Sequence, residues 1–218
     1  MDKKITVIVG IVLVLVLGII VIINLPEDPA KDLPRAEDSR RPTTPTLHEQ
    51  TDAAITYSLL DQSTIGFTGS KVTGSHDGGF TSFKGSFVLD GEQLVGKDNQ
   101  IVIQMNSLWS DNDRLTGHLK SADFFEVETY LEASFKLTAA TNGSDKAAYT
   151  LTGNFTLHGV TKGILFPATI TQEGDGFRLK SEFVINRMDY GIVYPGRAND
   201  LIRDEVVIRL DMVAAPDA

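Results

Sequence analysis

The feature that most constrains this chain is an apolar residue at every second position, repeated in segment after segment over residues 55–212. In residues 83–89, for example, Phe83, Phe87 and Leu89 alternate with Lys84 and Ser86. Because successive side chains of a β-strand point to opposite faces, this pattern predicts strands that are buried on one face and solvated on the other. About eight to nine such segments follow one another, mostly without intervening helical patterns.

Turn signals separate these segments, among them Asp90-Gly91, Asn142-Gly143 and Gly174-Asp175-Gly176. Many strands with one buried face, joined by turns, predict a sandwich or a closed antiparallel barrel. The buried positions are rich in Phe. An eight-stranded barrel is either just filled by its own side chains or holds one small ligand, and the pattern alone leaves both alternatives open.

The composition of the chain excludes several classes of function. Its 218 residues carry a net charge of −9, which repels phosphate backbones and makes nucleic acid an unfavourable partner. The chain has no cysteine, which excludes disulfides, thiol catalysis and Cys-ligated zinc. No pair of histidines has metal-ligand spacing, and no nucleophile elbow, phosphate-binding loop or dinucleotide fingerprint is present, so the sequence predicts neither metal nor cofactor.

The N-terminal part of the chain differs from the rest. Residues 5–23 are apolar and uncharged, and about 20 such residues cross a bilayer as a helix. The run exceeds the apolar region of a cleaved signal peptide, and no small-residue cleavage site follows it. We therefore predict a tail at residues 1–4, a transmembrane helix at 5–23, a proline-rich linker at 24–50 and a β-barrel domain at 51–218. The expected localisation is a single-pass membrane anchor with the domain outside the cytoplasm, in the periplasm.

Residues 106–135, which we call the lid segment, interrupt the alternating pattern. Loops longer than about 12–15 residues are often lids or binding loops. Ser121 precedes Ala-Asp-Phe-Phe-Glu and is predicted to be the N-cap of a short helical turn. Trp109, Phe124 and Phe125 are large and apolar, so the segment is expected to fold back over one end of the barrel.

Three motifs carry a family resemblance. HLKSADFF, HGVTK and NRMDYG follow one another at residues 118–125, 158–162 and 186–191. Together with residues 69–91, they resemble the YceI-like family, and the resemblance covers about residues 57–213. It implies an all-β fold, namely an eight-stranded antiparallel lipocalin-like barrel with short helical turns in its lid segment, here preceded by the predicted transmembrane helix. It also implies a long apolar tunnel that holds a polyisoprenoid or other long-chain lipid, with the polar head near the mouth.

The candidate ligand-binding residues fall into two groups. The tunnel lining is predicted to comprise inward-facing apolar residues: Phe83, Phe87, Ile103, Met105, Phe135, Leu151, Phe155, Phe166, Phe183 and Ile185. The contacts to the ligand head, or within the lid, are predicted to involve Trp109, His118, Phe124, Phe125, His158 and Arg187.

Each polar candidate has a structural alternative. His158 lies in a turn between two strands and is either a surface turn residue or part of the mouth. His118 either contacts a head group or hydrogen-bonds the lid in place. Arg187 either pairs with Asp189 to close a turn or meets an anionic head, because a guanidinium suits phosphate and carboxylate. His76, in a glycine-rich turn, is interpreted as structural.

The predicted function is a membrane-tethered extracytoplasmic protein that binds a polyisoprenoid or other long-chain amphiphile inside its barrel. The predicted partners are this lipid and the membrane; nucleic acid is not one, and a homodimer is compatible with the sequence. No catalytic residue is predicted, and a bound lipid is the only resident molecule implied. The alternatives are an enzyme that acts on a small amphiphile through His118 or His158, and an envelope stress or structural protein with a filled barrel.

Overall fold

The computed structural model describes residues 26–38, 51–91, 93–143, 148–194 and 202–217. In this part of the chain, nearly all regular structure is β-strand. The strands are β1 (Glu37–Asp38), β2 (Ile55–Leu59), β3 (Thr64–Lys71), β4 (Gly74–Phe80), β5 (Phe83–Asp90), β6 (Gln93–Leu94), β7 (Gln100–Gln104), β8 (Leu108–Ser110), β9 (Glu132–Asn142), β10 (Ala148–Leu157), β11 (Val160–Glu173), β12 (Gly176–Asn186) and β13 (Ile202–Pro216). One α-helix, α1 (Asp113–Lys120), and two 3₁₀ turns, Met105–Ser107 and Arg187–Tyr190, complete the described elements.

The strands close into an eight-stranded antiparallel barrel. Strand β13 pairs with β12 on one side and with both β2 and β3 on the other, and the path β12, β11, β10, β9, β7, β5, β2 leads back to β13. Strands β2 and β3 act as one kinked strand, since Leu59 pairs with Ala214 and Thr64 pairs with Asp211. Strands β4 and β5 continue one another in the same way, as do β7 and β8. The predicted all-β antiparallel barrel is confirmed.

The alternation in the sequence corresponds to burial in the barrel wall. In β12, Leu179, Phe183 and Ile185 are buried, whereas Lys180 and Glu182 are exposed. The inward side chains of all the main strands form one continuous core cluster. The barrel is thus one of the two architectures that the period-two pattern predicts, and it buries the apolar faces by closing the sheet around a common axis.

Residues 26–38, predicted as part of a linker, lie against the outside of the barrel. Ala30 and Leu33 pack on Val184 and Val207, two apolar residues that face outward from β12 and β13. Strand β1 pairs with β11 in the same region. A second, small apolar cluster on the outer face explains why this proline-rich stretch is ordered.

The predicted localisation is contradicted. Among the residues that the structure describes, none belongs to a helix both long enough and apolar enough to span a membrane. The run at residues 5–23, from which the single-pass anchor and the extracytoplasmic placement were predicted, lies outside the described residues.

The lid segment contains β8, α1 and a series of turns. Asn112 is the N-cap of α1, because its side-chain oxygen accepts a hydrogen bond from Leu115 N at 3.0 Å. Ser121 is the C-cap of this helix, and its hydroxyl donates to the His118 carbonyl at 2.8 Å. A hydrogen-bonded turn, not a second helix, follows Ser121, whose carbonyl accepts from Phe124 N at 3.1 Å. Leu115 and Leu119 face the barrel with Phe124 and Phe125, so the segment covers one end of it.

Candidate ligand-binding cavity

The barrel encloses a cavity of about 320 Å³ beneath the lid segment. Its wall is formed almost entirely by apolar side chains from β3, β7, β9, β10, β11, β12 and β13, with Leu115 and Leu119 of α1 above them. This volume is near the lower end of the range for ligand pockets, about 300–1,000 Å³.

Six of the ten predicted tunnel residues lie on the wall of this cavity. They are Ile103, Phe135, Phe155, Phe166, Phe183 and Ile185. The other four, Phe83, Phe87, Met105 and Leu151, are not on the wall but pack in the surrounding core. Wall residues that the sequence reasoning did not select include Phe67, Phe80, Ile164 and Leu210. Phe67, Ile164 and Leu210 follow the same alternation and could have been selected from it, whereas Phe80 ends a glycine-rich strand that has no apolar alternation.

Three aromatic rings on neighbouring strands pack side by side on the cavity wall. The rings of Phe166 and Phe183 are stacked, with centroids 4.2 Å apart and planes inclined by 9°. Phe135 packs against Phe166 at 5.3 Å. Gly153 of β10 makes room for this ring, because a Cβ at that position would collide with Phe135. We call Phe135, Phe166 and Phe183 the floor.

Below the floor the barrel is filled. Leu137, Leu151 and Met212 are buried there and belong to the main core cluster. Phe177 lies 6.1 Å from Phe87 and 5.4 Å from Tyr57, between ring centroids, at the far end. The cavity therefore occupies the half of the barrel nearer to the lid segment.

The opposite end of the cavity, which we call the mouth, is polar and cationic. Its wall is formed by Lys71, His76, His118, Arg187, Tyr194 and Arg203. Among the residues described by the structure, no Asp or Glu lies on the cavity wall. The mouth thus combines three permanently charged cations with two histidines in a chain whose net charge is −9.

Arg187 is held rigidly at the mouth. Its side chain donates to the Ile192 carbonyl at 2.6 Å and to Asp204 Oδ1 at 3.0 Å, and it is buried. Asp189, the partner predicted from the sequence, instead pairs with Lys162 at 3.2 Å. The interpretation of Arg187 as one half of a turn-closing pair with Asp189 is therefore wrong, and Arg187 fixes the chain that follows β12 to the start of β13.

The remaining candidates of the lid segment lie in two different environments. His118, Phe124 and Phe125 lie on the cavity wall, and the His118 ring packs edge-on against Tyr194 with centroids 4.8 Å apart. Trp109 does not line the cavity, and 45% of its surface is exposed. Its position follows from β8, in which the residues on either side of it are the ones that face inward.

His158 belongs to a tight turn and is not part of the cavity wall. Leu157 pairs with Val160, and the two residues between them, His158 and Gly159, have φ values of 50° and 74°, as in a type I′ turn. The His158 ring lies 4.3 Å from that of Tyr130, between centroids, and its Nδ1 is 3.3 Å from the Tyr190 carbonyl. The HGVTK motif is therefore a turn that attaches the end of the lid segment to the barrel.

A second link joins the lid segment to the mouth. His76 Nδ1 lies 2.8 Å from Asp111 Oδ1, and Asp77 N donates to the same carboxylate at 3.1 Å. The hydrogen bond from His76 lowers the pKa of Asp111 below its ordinary value. This contact connects the β4 strand to the residues just before α1. In the part of the chain that the structure describes, no three His, Asp or Glu side chains are grouped so that they could hold a metal ion.

The described elements define the class of closed eight-stranded antiparallel barrels, here with an apolar cavity, a short covering helix and a polar mouth. Residues 58–214 match the family model of the YceI-like domain, and the chain therefore belongs to the YceI-like family. The predicted resemblance is confirmed.

Known proteins agree with this assignment. A UPF0312 protein of Pseudomonas putida (strain W619) is 35% identical over 133 residues, which cover 57% of this chain and 68% of the relative. Among solved structures, Burkholderia cenocepacia BcnA has a TM-score of 0.63 at 20% identity, covering 71% of this chain and 97% of its own. A polyisoprenoid binding domain from Saccharophagus degradans, implicated in plant cell wall breakdown, has a TM-score of 0.62 at 20% identity, covering 75% and 99%. At this level of identity, the solved structures show a shared fold.

Proposed function

We propose that this protein binds a polyisoprenoid or another long-chain amphiphile, with the chain inside the barrel and the polar head at the mouth. The observation that carries the proposal is the apolar cavity of about 320 Å³ between the aromatic floor and the lid segment. Its wall offers a chain apolar contact, and the polar side chains that the structure describes on this wall lie at the mouth. The polyisoprenoid named for the Saccharophagus domain is a ligand of this kind.

The energetics favour a chain-shaped apolar ligand. Each CH₂ group removed from water contributes about 0.8 kcal/mol, so a short isoprenoid chain gains several kcal/mol without any specific polar contact. Part of this gain offsets the loss of translational and rotational freedom on binding. The candidates on the wall, Ile103, Phe135, Phe155, Phe166, Phe183 and Ile185, would supply this contact together with Phe124 and Phe125 of the lid segment.

The test places a large side chain inside the cavity. Leu115 of α1 lies on the cavity wall and is only half-buried, so Leu115→Trp is expected to fold with its indole occupying ligand space. Binding of farnesol, measured by native mass spectrometry and calorimetry on detergent-free protein, is expected to weaken by more than about tenfold.

The matched control lies two residues further along the same helix. Gly117 is exposed, and a Cβ built there meets no atom within 4 Å, so Gly117→Trp adds the same ring outside the cavity. This variant is expected to bind farnesol like the parent protein. The proposal fails if the parent protein binds no farnesol, or if both Trp variants bind it as well as the parent does.

A further inference from the structure

We propose that the mouth selects amphiphiles with an anionic headgroup, a phosphate or a carboxylate, over neutral amphiphiles with the same chain. This inference rests on the proposed function and specifies the chemistry of the ligand head. It starts from the mouth, where Lys71, Arg187 and Arg203 lie on the cavity wall together with His76 and His118. No described acidic residue is on that wall.

The carboxylates that pair with the two guanidinium groups are not part of the cavity wall. Arg203 pairs with Asp28 at 3.0 Å and Arg187 pairs with Asp204 at 3.0 Å, and only the arginine of each pair lines the cavity. An anion in contact with this wall therefore meets the cations and not their partners. The guanidinium of Arg203 is further oriented by the Lys71 carbonyl at 3.2 Å and the Ser70 hydroxyl at 3.4 Å.

Lys71 is the residue best placed to change the selectivity. It lies at the end of β3, is exposed, and lines the cavity. Within the described part of the chain, no carboxylate forms an ion pair with its ammonium group. Its charge is therefore not compensated by a described neighbour, unlike the charges of Arg187 and Arg203. A lysine that carries three donors on a flexible stem suits a phosphate or carboxylate oxygen at the mouth.

The hydrogen-bonding groups of the mouth also favour an anionic head over a neutral one. The polar side chains on the wall at this end are two guanidinium groups, one ammonium group, two imidazoles and the hydroxyls of Ser70 and Tyr194, and each of them can donate a hydrogen bond. A neutral alcohol accepts one or two of these hydrogen bonds and gains no charge interaction. An anionic head accepts several charge-assisted hydrogen bonds, which are roughly twice as strong as neutral ones.

The experiment compares headgroups on identical chains. Binding of farnesyl phosphate and farnesol, and of laurate and dodecanol, is measured by calorimetry at low salt, with inorganic phosphate alone as the chain-free probe. We expect each anion to bind about fivefold or more tightly than its alcohol, and the ratio to decrease at high salt. The phosphate and carboxylate pairs then show which anion the mouth prefers, and inorganic phosphate is expected to bind more weakly than farnesyl phosphate.

Two variants that each remove one positive charge distinguish an effect of the mouth from an effect of the protein's overall charge. Lys71→Gln is expected to remove most of the anion preference while farnesol binds as before. Lys84→Gln, on the exposed face of β5 and off the cavity wall, is expected to leave the preference unchanged. Equal binding of anion and alcohol to the parent protein overturns the inference but not the proposed function. Loss of the preference in both variants also overturns it, and absence of all binding defeats the proposed function itself.

Discussion

At the scale of single residues, His158 and Gly159 determine how the lid segment joins the barrel. Both have positive φ, a region that costs residues other than glycine about 1–2 kcal/mol, and His158 adopts it at φ 50°. The contact of its ring with Tyr130 is the compensating interaction that the structure shows. Gly159 carries a second constraint, since a Cβ at this position would lie 2.7 Å from Cε1 of Tyr130.

Replacing Gly159 tests the contact between this turn and Tyr130 of the lid segment. Gly159→Ala is expected to lower the free energy of unfolding by about 2 kcal/mol or more, because the backbone strain adds to the displacement of Tyr130. Gly191→Ala is the control: Gly191 also has a left-handed backbone, with φ 70°, but a Cβ there meets no atom closer than 3.9 Å. Its cost should be the strain alone, about 1 kcal/mol. If urea denaturation gave the same loss of unfolding free energy for Gly159→Ala and Gly191→Ala, Tyr130 would be moving away from the added Cβ without cost.

At the scale of elements, β12 and β13 pair without interruption from Phe177 to Asn186 and are joined by a bidentate ion pair. Arg178 donates to both carboxylate oxygens of Asp211, at 2.6 and 2.7 Å, and Lys180 lies 3.7 Å from the same group. The hydrogen bonds from Arg178 lower the pKa of Asp211 below its ordinary value. Both side chains remain about one-third exposed, at 35% and 31%, so solvent weakens the interaction.

The lowered pKa of Asp211 predicts how stability depends on pH. A carboxyl group with a lower pKa in the folded state stabilises the fold above its unfolded pKa of about 3.9, and this contribution is lost as pH falls through the folded pKa. Asp211→Asn is therefore expected to be less stable than the parent protein at pH 7. The difference should shrink steadily below pH 4, where the parent carboxyl becomes protonated. Urea denaturation at a series of pH values measures it, and a difference that stays constant down to low pH would contradict the assignment.

A comparison of the strands with their sequence pattern shows how far the sequence predicts the fold and the candidate site. The alternation places Phe166, Phe183 and Ile185 inward, and the structure agrees, because the period of two leaves each residue only one face. The alternation does not show which inward side chains pack tightly against one another inside the barrel. It therefore predicts Phe87 and Leu151 as tunnel residues, although both belong to the filled half. The cations of the mouth come from three separate strands or turns, and only the barrel closure brings Lys71 and Arg203 together.

At the scale of the whole molecule, the barrel divides into a filled half and a hollow half. In the filled half, the close packing of Leu137, Leu151 and Met212 stabilises the fold without any ligand. The hollow half holds a limited volume, about 320 Å³, and the stacked rings of Phe166 and Phe183, on the adjacent strands β11 and β12, form part of its wall. If a ligand binds with its head at the mouth and its chain inside, the wall residues, the floor rings among them, limit the chain length that the cavity accepts.

Removing one ring of the floor should therefore lengthen the accepted chain. Phe183→Ala is expected to cost about 3–5 kcal/mol of stability and to raise the affinity for geranylgeraniol relative to farnesol, which is one isoprene unit shorter. Phe183→Leu, a milder change, should shift this ratio in the same direction at a smaller cost. Phe83→Ala is the control, since Phe83 packs against the core but is not on the cavity wall, and it should destabilise the protein without altering the ratio. A ratio unchanged in both Phe183 variants, with both folded, would mean that the stacked rings do not limit the chain.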